Sequence, residues 1–188
     1  MNDSPALSER DLVRAAAGGD ELALRRIVEL YEPAVAQVVT AMIGPGDDAE
    51  DVGQETFMRF FNALPKFRGD AAIKTYLTRI AINLSIDVLK QRKRRGGWLR
   101  FGVSPESRGI AAPDERGTLE RTDMESHVRK AVDELDANSR AVVVLRMLEE
   151  RSTRETAEIL QVPEGTVMSR LKRAMEKLEV ELRPLMKE

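Results

Sequence analysis

Residues 152–174, STRETAEILQVPEGTVMSRLKRA, constrain this chain more than any other stretch, because they read as a helix, a tight turn and a second helix. Ser152 and Glu155 form an S-x-x-E capping box, in which each side chain satisfies a backbone N–H left over at a helix start. The helix is expected to end near Leu160. Gln161, Val162 and Pro163 make the break, since Pro163 disfavours helical backbone at Val162 yet suits the first turn of a new helix. On that second helix Val167, Leu171, Ala174 and Leu178 recur at helical spacing and define a buried stripe. Gly165, Thr166, Met168, Ser169, Lys172 and Arg173 then face outward, a small, polar and basic surface of the kind a major groove accepts. Arg170 falls on the flank, which suits a phosphate contact or a solvated edge better than a base. An ordinary amphipathic hairpin with its basic residues in water has the same pattern, so the rest of the chain has to decide.

Composition removes several classes of function. The chain has 188 residues, enough for one or two domains, and its 42% apolar but only 4% aromatic content allows small helical cores. It contains no cysteine, so a disulfide framework, a cysteine zinc site and direct thiol redox sensing are excluded. The one histidine, His127, sits beside Val128, Ala131, Val132 and Leu135 on a plain helical pattern, which reads as solvated and not as a ligand. Neither paired catalytic groups, a phosphate-binding glycine loop nor metal-ligand spacing occurs, so no enzyme, cofactor or metal is expected. The sequence has no membrane-length apolar run and begins without the basic-then-apolar pattern of a signal peptide. A cytoplasmic protein without stable membrane insertion is the expectation.

The net charge of −2 argues against a generic nucleic-acid coat, and the information lies in how charge is segregated. Asp47, Asp48, Glu50, Asp51 and Glu55 form an acidic block, whereas Lys90, Arg92, Lys93, Arg94, Arg95 and Arg100 form a basic one. Asp20 can cap a helix carrying Leu24, Ile27, Val28 and Tyr31, and Pro33 marks a break or kink before Val35, Val38, Val39 and Met42. After a Gly44-Pro45-Gly46 turn, a third helix puts Val52, Phe57, Phe60, Phe61 and Leu64 on one side and Asp48, Asp51 and Glu55 on another. A loop follows at 65–70, then a fourth helix from about Ile73 to Arg94 with Tyr76, Leu77, Ile80, Leu84 and Val88 inward.

Residues 96–117 lose the helical period and scatter Gly, Ser and Pro, the signature of a flexible linker. Trp98, Leu99 and Phe101 are too apolar for a free tether and suit packing on a domain or docking to a partner. Beyond the linker, Val128, Ala131, Val132 and Leu135, then Ala141, Val144, Leu145 and Leu148, predict two helices that buttress the helix-turn-helix. With no alternating strand pattern and no repeat, the class is all-α: two small helical domains, 1–95 and 120–188, joined by a linker at 96–119.

Three segments carry a family resemblance: DAEDVGQETFMR at 48–59, YLTRIAINLSID at 76–87 and EGTVMSRL at 164–171. In that order and spacing they resemble the bacterial RNA polymerase sigma factors of the extracytoplasmic-function (ECF) group. The resemblance implies a region-two-like domain at 1–95 and a region-four-like domain at 120–188. It implies core RNA polymerase and promoter DNA as partners, with an anti-sigma factor that holds the protein inactive.

By the same resemblance the helix at 48–59 docks on the clamp helices of the polymerase largest subunit, through Asp48, Asp51, Gln54 and Glu55. The loop and helix after it would open the minus-ten element and hold an extruded base, work assigned to Phe67, Arg68, Asp70, Lys74 and Tyr76. Arg79, Lys90, Arg92 and Lys93 would neutralise phosphates of that strand, although such a run also complements a helix dipole. Only Phe67 and Tyr76 offer rings there, which implies weak melting by stacking and stringent promoter choice. The minus-thirty-five element falls to Thr166, Met168, Ser169, Arg170, Lys172 and Arg173.

The chain departs from the family pattern at three places. The family commonly has a basic residue where Met168 stands, a glycine where Gln161 stands and an apolar residue where Thr156 stands. Met168 cannot hold a phosphate by charge but can touch a thymine methyl. If position 161 takes a positive φ, Gln161 costs about 1 kcal/mol relative to glycine. Two other classes compete with the sigma reading. A sigma mimic that reads no DNA conflicts with the basic groups after Leu89 and on the last helix. A stand-alone regulator with a ligand-sensing first half would need polar residues set in an apolar stripe, and the pattern has none.

Overall fold

A computed structural model of the chain describes residues 8–67, 72–99 and 119–184, and among them every regular element is helical. The chain divides into two compact units, one of residues 1–88 with 158–161 and one of residues 89–157 with 162–188.

The first unit opens with α1 (Glu9–Ala17) and α2 (Glu21–Ile43). Asp20 caps α2 as its position suggests, accepting from the N–H of Leu22 at 2.9 Å and of Ala23 at 3.2 Å. Pro33 does not break this helix, which runs through it without interruption. The reason is placement: Pro33 and Glu29 are both exposed, so the carbonyl deprived of its helical donor faces water. Gly44 and Gly46, at φ 84° and 126°, then turn the chain through backbone open to glycine. Helix α3 (Asp47–Ala63) follows and packs along α2. Between them Ile27, Val38, Val39, Met42, Val52 and Phe60 make the core, each at most 5% exposed.

Phe60 also anchors a set of rings, with Phe67 edge-on at 5.7 Å and Tyr76 at 5.8 Å. Helix α4 (Ile73–Leu99) starts where its pattern suggests and runs past the expected end at Arg94. Trp98 and Leu99 fall in its last turn; their side chains, like Phe101, lie outside the described residues. The start of α4 is held from afar, because the Glu9 carboxylate on α1 accepts the Ile73 N–H at 2.6 Å. Sequence pattern alone does not disclose that cap, since 64 residues separate its partners.

The second unit takes the end of α4 from Leu89 on and contains α5 (Leu119–Asp133), α6 (Ala137–Val143), a π turn (Val144–Leu148), α8 (Glu164–Leu182) and α7 (Thr153–Leu160) as far as Ala157. Ala131 and Leu135 meet Val143, Ala174 and Leu178 in its core, with Val132, Leu171 and Leu182 packed around them. The expected stripe of 141, 144, 145 and 148 holds for its first three members. Leu148 is 42% exposed, because the π turn winds more slowly than an α-helix and rotates its last residues out of register.

Arg140 is a cation that the pattern does not flag as internal. It is 5% exposed and donates to the Asp133 carboxylate at 2.8 Å and to the Asp133 carbonyl at 2.6 Å. Burial lowers the guanidinium pKa and the Asp133 charge opposes the shift, so Asp133 is what makes the buried charge tolerable.

The turn between α7 and α8 closes by a Schellman arrangement, in which the Val162 N–H reaches the Ala157 carbonyl at 3.1 Å. That geometry places Gln161 at φ 54°, a position where glycine is usual. Replacing Gln161 with glycine is expected to stabilise the α7–α8 turn by about 1 kcal/mol. Native-state hydrogen exchange of the α7 and α8 amides reads this directly as slower opening; unchanged or faster exchange contradicts it.

Candidate polymerase and nucleic-acid interfaces

Helix α3 begins with Asp47, Asp48 and Glu50 in its first turn, where negative charge meets the positive end of the helix dipole. Those acids have a local structural reason. Asp51, Gln54 and Glu55 lie further along, are exposed, and share a face at i, i+3, i+4 spacing that the dipole does not require. Glu55 accepts from Arg59 Nε at 2.7 Å, so part of its charge is already answered within the helix. Met58, 57% exposed, continues the same face and adds an apolar contact that a search for charge overlooks. Beside it an open groove of about 520 Å³ runs between α2 and α3, floored by Val35, Ala36, Gly53 and Phe57 and edged by Glu32 and Glu50.

The residues expected to meet the minus-ten strand are not all brought together. Phe67 and Tyr76 are half-buried and stand edge-on to each other at 5.2 Å. Both rings are built into the packing on Phe60. Arg68 and Asp70 lie outside the described residues. Along α4, Lys74, Lys90, Arg92 and Lys93 are exposed and Arg79 is half-buried. At about 100° per residue, Tyr76, Arg79, Lys90 and Lys93 share one side while Lys74 and Arg92 fall on the other. One straight strand cannot follow both.

Helix α8 has the two faces its spacing suggests. Val167, Ala174 and Leu178 are buried and Leu171 half-buried, while Gly165, Met168, Ser169, Lys172 and Arg173 are exposed. Thr166 is half-buried, and its carbonyl accepts the Ser169 hydroxyl at 3.0 Å. Arg173 Nε donates to the Ser169 carbonyl at 3.1 Å, which fixes the guanidinium stem on an exposed face. Lys172 stands 3.9 Å from Glu176, an exposed pair that water and salt weaken. Arg170 is half-buried, and its charge helps hold the Asp136 carboxyl down. That carboxyl also caps α6; burial works to raise its pKa, but hydrogen bonds from Ser139 and Asn138 outweigh burial. Arg170 therefore faces α6 as well as the edge of the outward surface.

Both halves of the capping box are made. The Ser152 N–H reaches Glu155 Oε2 at 2.8 Å, and the Glu155 N–H reaches Ser152 Oγ at 3.1 Å. Hydrogen bonds from the Ser152 hydroxyl and N–H lower the Glu155 pKa, with a smaller contribution from Arg151.

Two helical units, the second a helix-turn-helix with a polar and basic outward face, define the class of DNA-binding proteins, and the first unit carries an exposed acidic helix face. Comparison with known proteins gives that class a family. Sigma-70 region 2 matches residues 27–95, and sigma-70 region 4 matches residues 127–178. The chain is 31% identical to the RNA polymerase sigma-H factor of Pseudomonas aeruginosa, over 96% of each chain. It is 30% identical to the ECF RNA polymerase sigma-E factor of Escherichia coli K12, over 98% of this chain and 99% of that one. Among solved structures, CnrH in complex with the cytosolic domain of CnrY matches at TM-score 0.66 and 28% identity, over 95% of this chain and 99% of that one. The sigma factor RpoE in complex with the anti-sigma factor NepR from Bartonella quintana matches at TM-score 0.63 and 27% identity, over 85% of this chain and 96% of that one.

The chain belongs to the sigma-70 family, in its ECF group. It is a promoter-specificity factor that binds core RNA polymerase and directs transcription initiation. Among the described residues no helix is long and apolar enough to cross a membrane.

Because the folded Glu155 pKa lies below its unfolded value, the cap contributes fully above the ordinary carboxylate range, near about 4.3, and is lost as pH falls through the folded value. Replacing Ser152 with alanine is expected to move the Glu155 titration up toward that range and to cost about 1 kcal/mol of α7 stability. Carboxyl-resolved NMR titration tests the shift; an unmoved Glu155 contradicts the account.

Proposed function

We propose that residues 1–95 act as the region-two domain and residues 120–188 as the region-four domain, each making one weak contact with promoter DNA. Asp51, Gln54, Glu55 and the exposed Met58 form the polymerase-facing patch of α3, with Asp48 at its start. Complementary charge there speeds encounter more than it adds affinity, and Met58 supplies apolar area at its C-terminal end. Tyr76, Arg79, Lys90 and Lys93 serve the minus-ten strand along their shared side of α4. Ser169, Lys172 and Arg173 read the minus-thirty-five element from the major groove, with Arg173 suited to a guanine by its anchored stem and free-reaching fork. Arg170 touches phosphate at the edge of that contact.

The observation that carries this reading is the division of α8 into a buried apolar stripe and an exposed Ser169, Lys172 and Arg173 face. The protein performs no chemistry of its own; the polymerase makes the bonds, and the protein works in the cytoplasm beside it. An anti-sigma factor keeps it inactive by covering these surfaces. Two structural neighbours whose partners are a cytosolic domain and an anti-sigma factor support that part of the reading.

Two paired variants separate the contacts. Alanine at Lys172 and Arg173 is expected to leave core-polymerase affinity unchanged while weakening minus-thirty-five recognition at least tenfold, since each lost base pairing costs about 1–3 kcal/mol. Lysine at Asp51 and Glu55 is expected to do the reverse. Polymerase binding by fluorescence anisotropy and promoter binding by the assembled holoenzyme read the two effects. Unaltered promoter use by the first variant, or unaltered polymerase affinity of the second, overturns the corresponding assignment.

A further inference from the structure

Met168 lies on the flank of the outward face of α8 that borders the start of α7, beside Ser169 and Lys172, and what its side chain would read has still to be assigned. It is 54% exposed, four residues after the helix begins at Glu164, and therefore about 6 Å along the axis. That places it in the first two turns, the part of a recognition helix that meets base edges. Met175, also exposed at 44%, follows on the same face nearly two turns further from the reading end.

The thioether is held in place. Thr153, the first residue of α7, donates its hydroxyl to Met168 Sδ at 3.6 Å. A thioether sulfur is a weak acceptor and methionine has no donor, so with this bond made the side chain has nothing polar to offer DNA. What it presents is methylene and methyl surface.

The floor of the major groove is lined with donors and acceptors, and its one apolar projection is the C5-methyl of thymine. Set against a polar base edge, Met168 would displace water without replacing its hydrogen bonds, which costs free energy. Set against the methyl, it buries apolar area on both sides and gains. The side chain therefore favours one base by attraction and disfavours the others by desolvation.

Resting on the promoter reading proposed above, we infer that Met168 is a specificity-determining residue that contacts the C5-methyl of a thymine in the minus-thirty-five element. Thr153 positions it. Lys172, at i+4 on the same face, makes its contact one helical turn further on, so the thymine belongs to the same short element.

The test uses the full chain assembled with core RNA polymerase and a duplex selected from a library randomised over the upstream element. Each thymine of the selected sequence is replaced in turn by deoxyuridine, which removes the C5-methyl and nothing else. The expected result is one position at which uracil weakens wild-type binding about fourfold, the factor carried by one buried methyl-sized group. Met168→Leu should keep that sensitivity. Met168→Gln, of similar length but polar, and Met168→Ala should lose it while folding normally at so exposed a site.

Three results overturn the inference. These are wild-type indifference to uracil at every thymine, a selected element without thymine, and a Met168→Gln variant as sensitive as wild type. If the Lys172 and Arg173 alanine variant still loses selection in those cases, the promoter reading stands and only the methyl contact falls. Failure of the wild-type holoenzyme to select any sequence overturns both.

Discussion

Everything the C-terminal unit presents to a partner depends on how α8 is seated. Val167, Ala174 and Leu178 are buried, with Ala131, Leu135 and Val143 supplied from α5, α6 and the residues between them. A helix with one apolar stripe has one stable rotation about its axis, so burying the stripe aims the opposite face as well. Ser169, Lys172 and Arg173 point outward because Val167 and Ala174 point inward. The capping box at Ser152 and the Schellman turn at Gln161 set where α7 starts and stops, and so the entry of α8. Gln161 in left-handed backbone is a local cost that the packing of both helices offsets.

The first unit solves a different problem. Its α3 must present an acidic face while hiding Val52, Phe57 and Phe60, and its first-turn acids are stabilised where they stand by the helix dipole. Asp51 and Glu55 lie beyond that turn, where the dipole does not account for them, and Glu55 is partly answered by Arg59. On the proposed assignment of one DNA contact to each unit, joining them in one chain and again through the polymerase would raise the effective concentration of the second contact once the first is made. Neither needs to be strong alone, which suits a factor that must later let go of its promoter.

Much of this was legible in the sequence, for a physical reason. Helical periodicity is a local property, so the α8 stripe, the Asp20 and Ser152 caps, the Gly44–Gly46 turn and the all-helical class can all be read from neighbours in the chain. Long-range effects were not legible in that way. Glu9 capping α4 across 64 residues, Arg140 buried on Asp133 and the rings of Phe67 and Tyr76 turned onto Phe60 each depend on what tertiary packing brings close. Pro33 does not break α2, because the cost of a proline depends on which side of the helix loses its bond, and both Pro33 and Glu29 are exposed here. Leu148 misleads because a π turn shifts the period within an otherwise regular run. The basic residues of α4 look like one patch as a list, and helix geometry divides them between two sides.

The most direct test of the account is promoter-dependent transcription by purified bacterial core RNA polymerase on sheared genomic DNA, with and without this protein, mapping every RNA start. The account predicts discrete new starts, each preceded by two short motifs at a fixed spacing, one for each DNA-binding unit. New starts with no shared upstream motifs, or none at all from a polymerase that binds the protein, would contradict it.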